Sequence, residues 1–393
     1  MGKKLRTVSV CLVAAIAVLG VVSLLCGSRD ARPTKLGDPL PGLTREQLAD
    51  FEKGRAVFER VFTPETGLGP LFNADACAEC HEDPVTGGTG DEIELHAAVL
   101  VADGLCDLLA DRGGPVYQQQ VTPALKNALG IDSEPVPAGA STGMRTAPDV
   151  FGFGLLDAIS DSTLLALADP NDADGDGISG RVNRFFDGRI GRLGRKALVP
   201  RLEEFNAGAF QIEQGITTPQ APDEGTVGGQ PIPAGVDTLP DPELDAESVR
   251  VANAFVRFLA PPAPLPSGHE AKQGAKLFAA IGCAKCHVPV LRTGASDVKA
   301  LAYRRVEAYT DLLLHDMGPD LADICFGQAA PAEFRTEPLM GLRIATSFLH
   351  DGRAGTIADA IDLHGGEAAS ARAAFLALPE RDRQAVLLFL SKL

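Results

Sequence analysis

The sequence predicts a mainly α-helical chain with long loops, built from two copies of one small helical unit. Three observations carry this. A short apolar pattern occurs twice, as Gly54-Arg-Ala-Val-Phe58 and Gly274-Ala-Lys-Leu-Phe278, with apolar residues three and four positions after each glycine, on one face of a helix. Each copy leads into the same signature, Cys77-Ala-Glu-Cys80-His81 and Cys283-Ala-Lys-Cys286-His287. Gly (42) and Pro (28) are frequent enough in 393 residues to demand long connections, and no run of alternating strands is evident.

Taken in order, the chain opens on a basic stretch holding Lys3, Lys4 and Arg6, then an apolar run of twenty residues, 7–26. That length serves as a signal peptide or an uncleaved membrane anchor, since about 20 apolar residues span a bilayer. Cations held inside predict export of the remainder, to a periplasmic location, soluble or tethered to the inner membrane. Residues 1–28 are therefore set apart. A lipoprotein reading through Cys26 meets a bulky Leu25 where a small residue is expected. Residues 29–259 are expected to form the N-terminal unit, with insertions at 63–73 and in the Gly/Pro-rich stretch 213–241. A Pro-rich linker follows at 260–273. Residues 274–393 form the C-terminal unit, closing with helices at 367–376 and 379–393, where Ala385, Val386, Leu388 and Phe389 make an apolar stripe.

Apolar residues (45%) suffice for sizeable cores, and 36 Lys+Arg against 52 Asp+Glu give a net charge of −16. That balance argues against nucleic acid as a partner, because phosphate binding needs clustered cations. It suits a soluble surface and docking of a basic redox protein. With three Tyr and no Trp, the core must be packed with Leu, Val, Ala and Phe, unless a large apolar cofactor fills part of it.

The CxxCH signatures say which cofactor. In c-type haem attachment two thiols add to the haem vinyl groups and the adjacent imidazole reaches the iron, so the porphyrin imposes the spacing. A zinc ribbon pairs CxxC motifs about 15–20 residues apart; here 202 residues separate Cys80 from Cys283, and zinc gives no reason for both trailing histidines. Two covalently bound haem c groups are expected, with His81 and His287 as proximal ligands. The class is then two cytochrome c-like domains with long loops, one haem each. Cys106 and Cys325 remain, as a disulfide or as two free thiols.

With these motifs, Gly152-Phe-Gly-Leu-Leu156, Asp174-Gly-Asp-Gly-Ile-Ser-Gly-Arg181, Tyr309-Thr-Asp-Leu-Leu-Leu-His-Asp-Met-Gly318, Phe334-Arg-Thr-Glu-Pro-Leu339, Leu349-His-Asp-Gly-Arg-Ala354 and His364-Gly-Gly-Glu367, the chain resembles the di-haem oxidoreductase family of peroxidase-like proteins. More distantly it is similar to bacterial di-haem cytochrome c peroxidases. The resemblance implies a peroxidatic N-terminal haem, an electron-accepting C-terminal haem and calcium between them. Those peroxidases commonly place a Trp between the haems, which this chain lacks, and no motif locates their glutamate here.

Axial ligands decide what each iron does, since an open sixth position binds peroxide and two protein ligands leave only electron transfer. His96 follows His81 by 15 residues, close to the spacing of a displaceable distal His in the related peroxidases; a surface or helix-cap role is the other reading. For the second haem, His364 lies 14 positions after His350, the offset at which the related peroxidases place a Met ligand after their own HDG. The short apolar face Ile357, Ala360 and Ile361 would carry His364 to the ring. Met317 is the rival, and His315 two residues earlier is a further candidate. His350 is read as a hydrogen-bonding residue near a haem, His269 as solvated, and Arg335, Arg343 and Arg353 as propionate partners or surface pairs. Asp172, Asp174 and Asp176 have the D-x-D-x-D-G spacing that begins an EF-hand loop, but position twelve is Asn183. Calcium or a solvated acidic turn are both open there.

Three functions follow. The first is peroxide reduction at the N-terminal haem, fed through the C-terminal haem by a redox protein such as a small cytochrome c. The second is a non-catalytic electron-transfer cytochrome with both haems six-coordinate. The third is oxidation of a protein or thiol substrate.

Overall fold

Thr44 starts helix α1 (Arg45–Phe58) through a reciprocal capping box: its hydroxyl accepts from the Gln47 amide, and the Gln47 side chain accepts from the Thr44 amide. The computed structural model describes residues 34–393, so the export segment with Cys11 and Cys26 lies outside the described residues. Among the described residues no helix is long and apolar enough to cross a membrane.

Helix α1 packs across α3 (Ala246–Phe258), whose other side meets α2 (Leu202–Gln214). Phe51 and Phe58 stand 5.1 and 5.0 Å from the Phe255 ring. Gly54 is the crossing point, because a Cβ there would run into the Val251 carbonyl. The second half repeats this crossing with α4 (His269–Ala280) and, near the C-terminus, α5 (Ile357–Asp362), α6 (Ala369–Ala377) and α7 (Glu380–Leu390). There α4 packs on α7, Gly274 meets the Ala385 carbonyl, and Phe278 lies 5.5 Å from Phe389. The glycine of the repeated sequence pattern is thus where two helix backbones touch, in both halves.

Two expectations need correction. A four-stranded antiparallel sheet exists where none was anticipated: β1 (Ile93–Leu100) pairs with β2 (Cys106–Asp107), β3 (Val116–Tyr117) and β4 (Ser141–Thr146). Its alternation is hidden because Ala97 and Ala98, adjacent and both buried, occupy the strand centre. The expected linker also ends early, as α4 begins at His269, which is exposed.

The two helix pairs belong to one continuous body. The largest core joins Phe51, Phe58 and Phe255 to Val298, Leu301, Val306 and Met340. Ile159, Leu164 and Ile190 pack against Leu291, Leu312 and Leu313. Cys106 and Cys325 form a disulfide, with Cα atoms 5.7 Å apart, that closes 219 residues of sequence.

Candidate functional site

Each CxxCH forms a single helical turn that ends on its histidine, and His287 lies in the wall of a cavity. His81 Nδ1 lies 3.3 Å from the Gly88 carbonyl, and His287 Nδ1 lies 3.0 Å from the Tyr309 carbonyl. Donating there fixes the ring and leaves Nε2 for a metal. Phe58 and Phe278 flank the two rings at 5.9 and 6.3 Å. Burial pushes both imidazoles down, His287 to about 4, so both stay neutral as a ligand must. Burial also pushes the Cys77 and Cys283 thiols up, to about 12 and about 11, and raises Cys80.

At the second centre a cavity of ≈ 270 Å³ is lined by Cys283, Cys286, His287, Met317 and His364 among others. His364 leaves the end of α5 with Nδ1 2.7 Å from the Ala360 carbonyl, and its ring centre stands 6.5 Å from that of His287. Two imidazoles sharing one metal at bonds of about 2 Å have ring centres roughly 6 Å apart. Arg195 and Arg372 line the same cavity, paired with Glu337 and Asp362 at 3.1 Å each, and each keeps a buried Nε without a partner. Buried Arg335 also lines it and pairs with Glu337 at 2.7 Å. These residues fit a haem.

His315 lines the cavity too, but both ring nitrogens are taken: Nε2 by Asp311 at 2.9 Å and Nδ1 by Glu367 at 2.8 Å. Burial would neutralise it, yet the bonds to Asp311, Cys286 and Glu367 outweigh burial and push the imidazole up to about 12. With both nitrogens held by carboxylates, neither is left for an iron, contrary to the expectation that His315 could be a ligand. Met317 keeps its place in the cavity wall, with its amide donating to the Ala332 carbonyl at 2.9 Å.

At the first centre Glu94 and His96, two apart on β1, share a face. His96 Nε2 lies 2.8 Å from Glu94, and its Nδ1 is buried without a partner. Burial alone would raise the Glu94 carboxyl, but the bond to His96 prevails and holds it low. Its charge acts on His81 and Cys80. Glu213, near the end of α2, accepts from Asn73 at 2.7 Å and is raised well above the carboxylate range, by burial and then by Glu94. The two carboxyls are therefore pushed in opposite directions, Glu94 down by its bond to His96 and Glu213 up by burial. Glu92 Oε2 and Gln214 Nε2 are also buried there without partners, Gln214 lying 3.7 Å from the Cys77 sulfur.

The family described as "Di-haem oxidoreductase, putative peroxidase" matches residues 126–393. The chain belongs to this family. Two haem cofactors come with that membership; the matched stretch contains the second CxxCH and begins after the first. Among solved structures, hydrazine synthase from Kuenenia stuttgartiensis is similar at 13% identity over 100% of both chains, with a TM-score of 0.42. A MauG-like protein associated with microbial copper homeostasis matches at 14% identity over 93% of this chain and 95% of that one, TM-score 0.40. The di-haem peroxidase BthA from Burkholderia thailandensis matches at 16% identity over 91% and 87%, TM-score 0.39. No curated protein sequence matches.

In this di-haem oxidoreductase the carboxylates of Asp172, Asp174 and Asp176 converge within 4.8 Å, and Lys285 already stands 2.8 Å from Asp176. Asn183 does not join them. It is fully buried elsewhere, and donates to the Lys196 and Phe326 carbonyls at 2.7 and 3.1 Å. His350 is buried and stacks on Phe334 at 4.1 Å, with Asp323 and Asp351 each 3.8 Å away. Arg353 pairs with Asp351 at the surface, and Arg343 keeps a buried Nε without a partner. Sequence reasoning missed Glu94, Glu213 and Asp149, a buried acid in the cavity wall pushed up to about 7 by burial. Only Glu94 carried a local signal, its i, i+2 spacing to His96.

Proposed function

We propose that this chain is an exported di-haem c-type oxidoreductase that reduces hydrogen peroxide at the first centre, with electrons passed through the second. Each crossed helix pair then bounds one haem-holding unit, at 29–259 and 274–393. Cys77, Cys80, Cys283 and Cys286 carry the thioether links, His81 and His287 are the proximal ligands, and His364 completes the second centre. The haems supply the iron that takes peroxide and the two electrons. Peroxide, two electrons and two protons give two waters, and the protons are this chain's task. His96 Nδ1 accepts a proton from one peroxide oxygen and returns it to the other as the O–O bond breaks. Glu94 holds the ring in place for this, and Glu213, whose carboxyl burial raises, is the reserve.

The asymmetry of the two centres supports this reading: an imidazole 6.5 Å from His287, against an imidazole with an unpartnered nitrogen held by Glu94, whose charge acts on His81. The same free Nδ1 favours the second reading, a carrier in which His96 binds the first iron. Stopped-flow mixing of half-reduced protein with peroxide separates them. Rapid reoxidation with turnover from a reduced basic cytochrome c supports the enzyme; indifference in every redox state supports the carrier.

Residues 7–26 would export the chain, as signal or anchor. Calcium is proposed at Asp172, Asp174 and Asp176, displacing Lys285. Calorimetry on chelator-treated protein tests this, and unchanged affinity in Asp174→Ala and Asp176→Ala would remove the site.

A further inference from the structure

The first centre is completed by a segment from the far half of the chain. Phe326 lies with its ring centre 6.2 Å from that of His96, tilted by 58°. Three independent anchors hold it there. The neighbouring Cys325, 2% exposed, is bonded to Cys106, which pairs in register with Leu100 at the far end of the strand carrying His96. Asn183 takes the Phe326 carbonyl and accepts the Gln328 amide at 3.2 Å, fixing the tight turn in which Phe326 and Ala329 exchange backbone bonds. Asp323 is clamped by Arg145, from the strand paired with β1, and by Lys196 at 3.0 Å. Three anchors on seven residues is far more than an ordinary surface turn needs.

We propose that residues 323–329 form a fixed cover that positions the His96 ring and confines the first haem centre to very small ligands. Phe326 is a positioning residue. It touches His96, not the reacting atoms, and its ring blocks the rotation that would carry Nδ1 out of the pocket. The proposal rests on the reading of His96 as a group of the first haem centre, but not on peroxide turnover.

Cyanide and imidazole binding to the oxidised holoprotein test it, followed optically at each haem. In the wild type cyanide should bind the first centre and imidazole should be excluded. Phe326→Ala should speed cyanide association by about tenfold or more, within the roughly one to three decades over which such rates vary among variants, and should admit imidazole. Phe326→Leu should restore most of the barrier. Cys106→Ser/Cys325→Ser should move the rates the same way, while the second centre's spectrum stays unchanged as the control for folding. Rates within twofold of wild type in both Phe326→Ala and the double variant would overturn the cover, as would a first haem that takes no cyanide in any variant. If His96→Ala leaves peroxide turnover intact while Phe326→Ala still opens the site, the proton-carrying role of His96 fails and the cover stands.

Discussion

The two centres share a scaffold and differ in what faces their proximal histidines. In both, a glycine lets two helices cross, a phenylalanine flanks the imidazole, and Nδ1 is tied to a backbone carbonyl. Opposite His287, the fixed nitrogen of His364 is Nδ1, so Nε2 is free to bind a metal. In the first pocket the fixed nitrogen is Nε2 of His96, held by a carboxylate, with a second carboxyl close by. The hydrogen bond chosen on one side of each ring thus leaves a different nitrogen free in the two places, Nε2 in His364 and Nδ1 in His96.

The largest test of that contrast is removal of the proton-handling pair. His96→Ala and Glu94→Gln should each lower peroxide turnover by about 10²–10⁴-fold, measured at saturating electron donor, and leave the second haem's spectrum alone. If His96 binds the first iron, His96→Ala will raise peroxide reactivity instead. The complementary variant, His364→Ala, should convert the second haem from low-spin to high-spin, read by EPR. A low-spin second haem in that variant, opened only by Met317→Ala, would give the ligand role to Met317.

The scaffold's symmetry gives the next test. Gly54→Ala and Gly274→Ala each drive a methyl into a facing carbonyl, Val251 or Ala385, and should destabilise by about 1–3 kcal/mol. Urea titrations should return similar losses for the two; a loss confined to one would show that the crossings are not equivalent.

The smallest expected effect concerns His315, which has no counterpart described at the first centre. Its imidazole is raised from 6.5 to about 12, so its contribution is fully present below about pH 6.5 and declines as pH rises toward 12. The stability difference between wild type and His315→Gln should therefore be greater at pH 6 than at pH 9.

What was legible in the sequence was local. CxxCH is imposed by the porphyrin over five residues, and the helices near 357–362, 369–377 and 380–390 follow from short apolar periods. His364 was legible through its offset from His350, which the resemblance to the related peroxidases carries, and through the short helix at 357–362 that precedes it. The first pocket was not, because its parts arrive from residues 94, 213 and 326, and no periodicity records that convergence. The strand bearing Glu94 was hidden by its two central alanines. Asn183, at position twelve of the acidic loop, is instead the buried anchor of a turn more than 140 residues away. His315 was open as a ligand until Glu367, 52 residues on, was seen to occupy one of its nitrogens.

Lys285 sits between the two cysteines of the second signature and is bound to Asp176, while Gly180 lies so close to His315 that a side chain there would strike the ring. A strap from the first half of the sequence is therefore drawn over the signature of the second. The two halves of the sequence are thus tied together at this signature, by an ion pair at 2.8 Å and by a close approach that only a glycine allows.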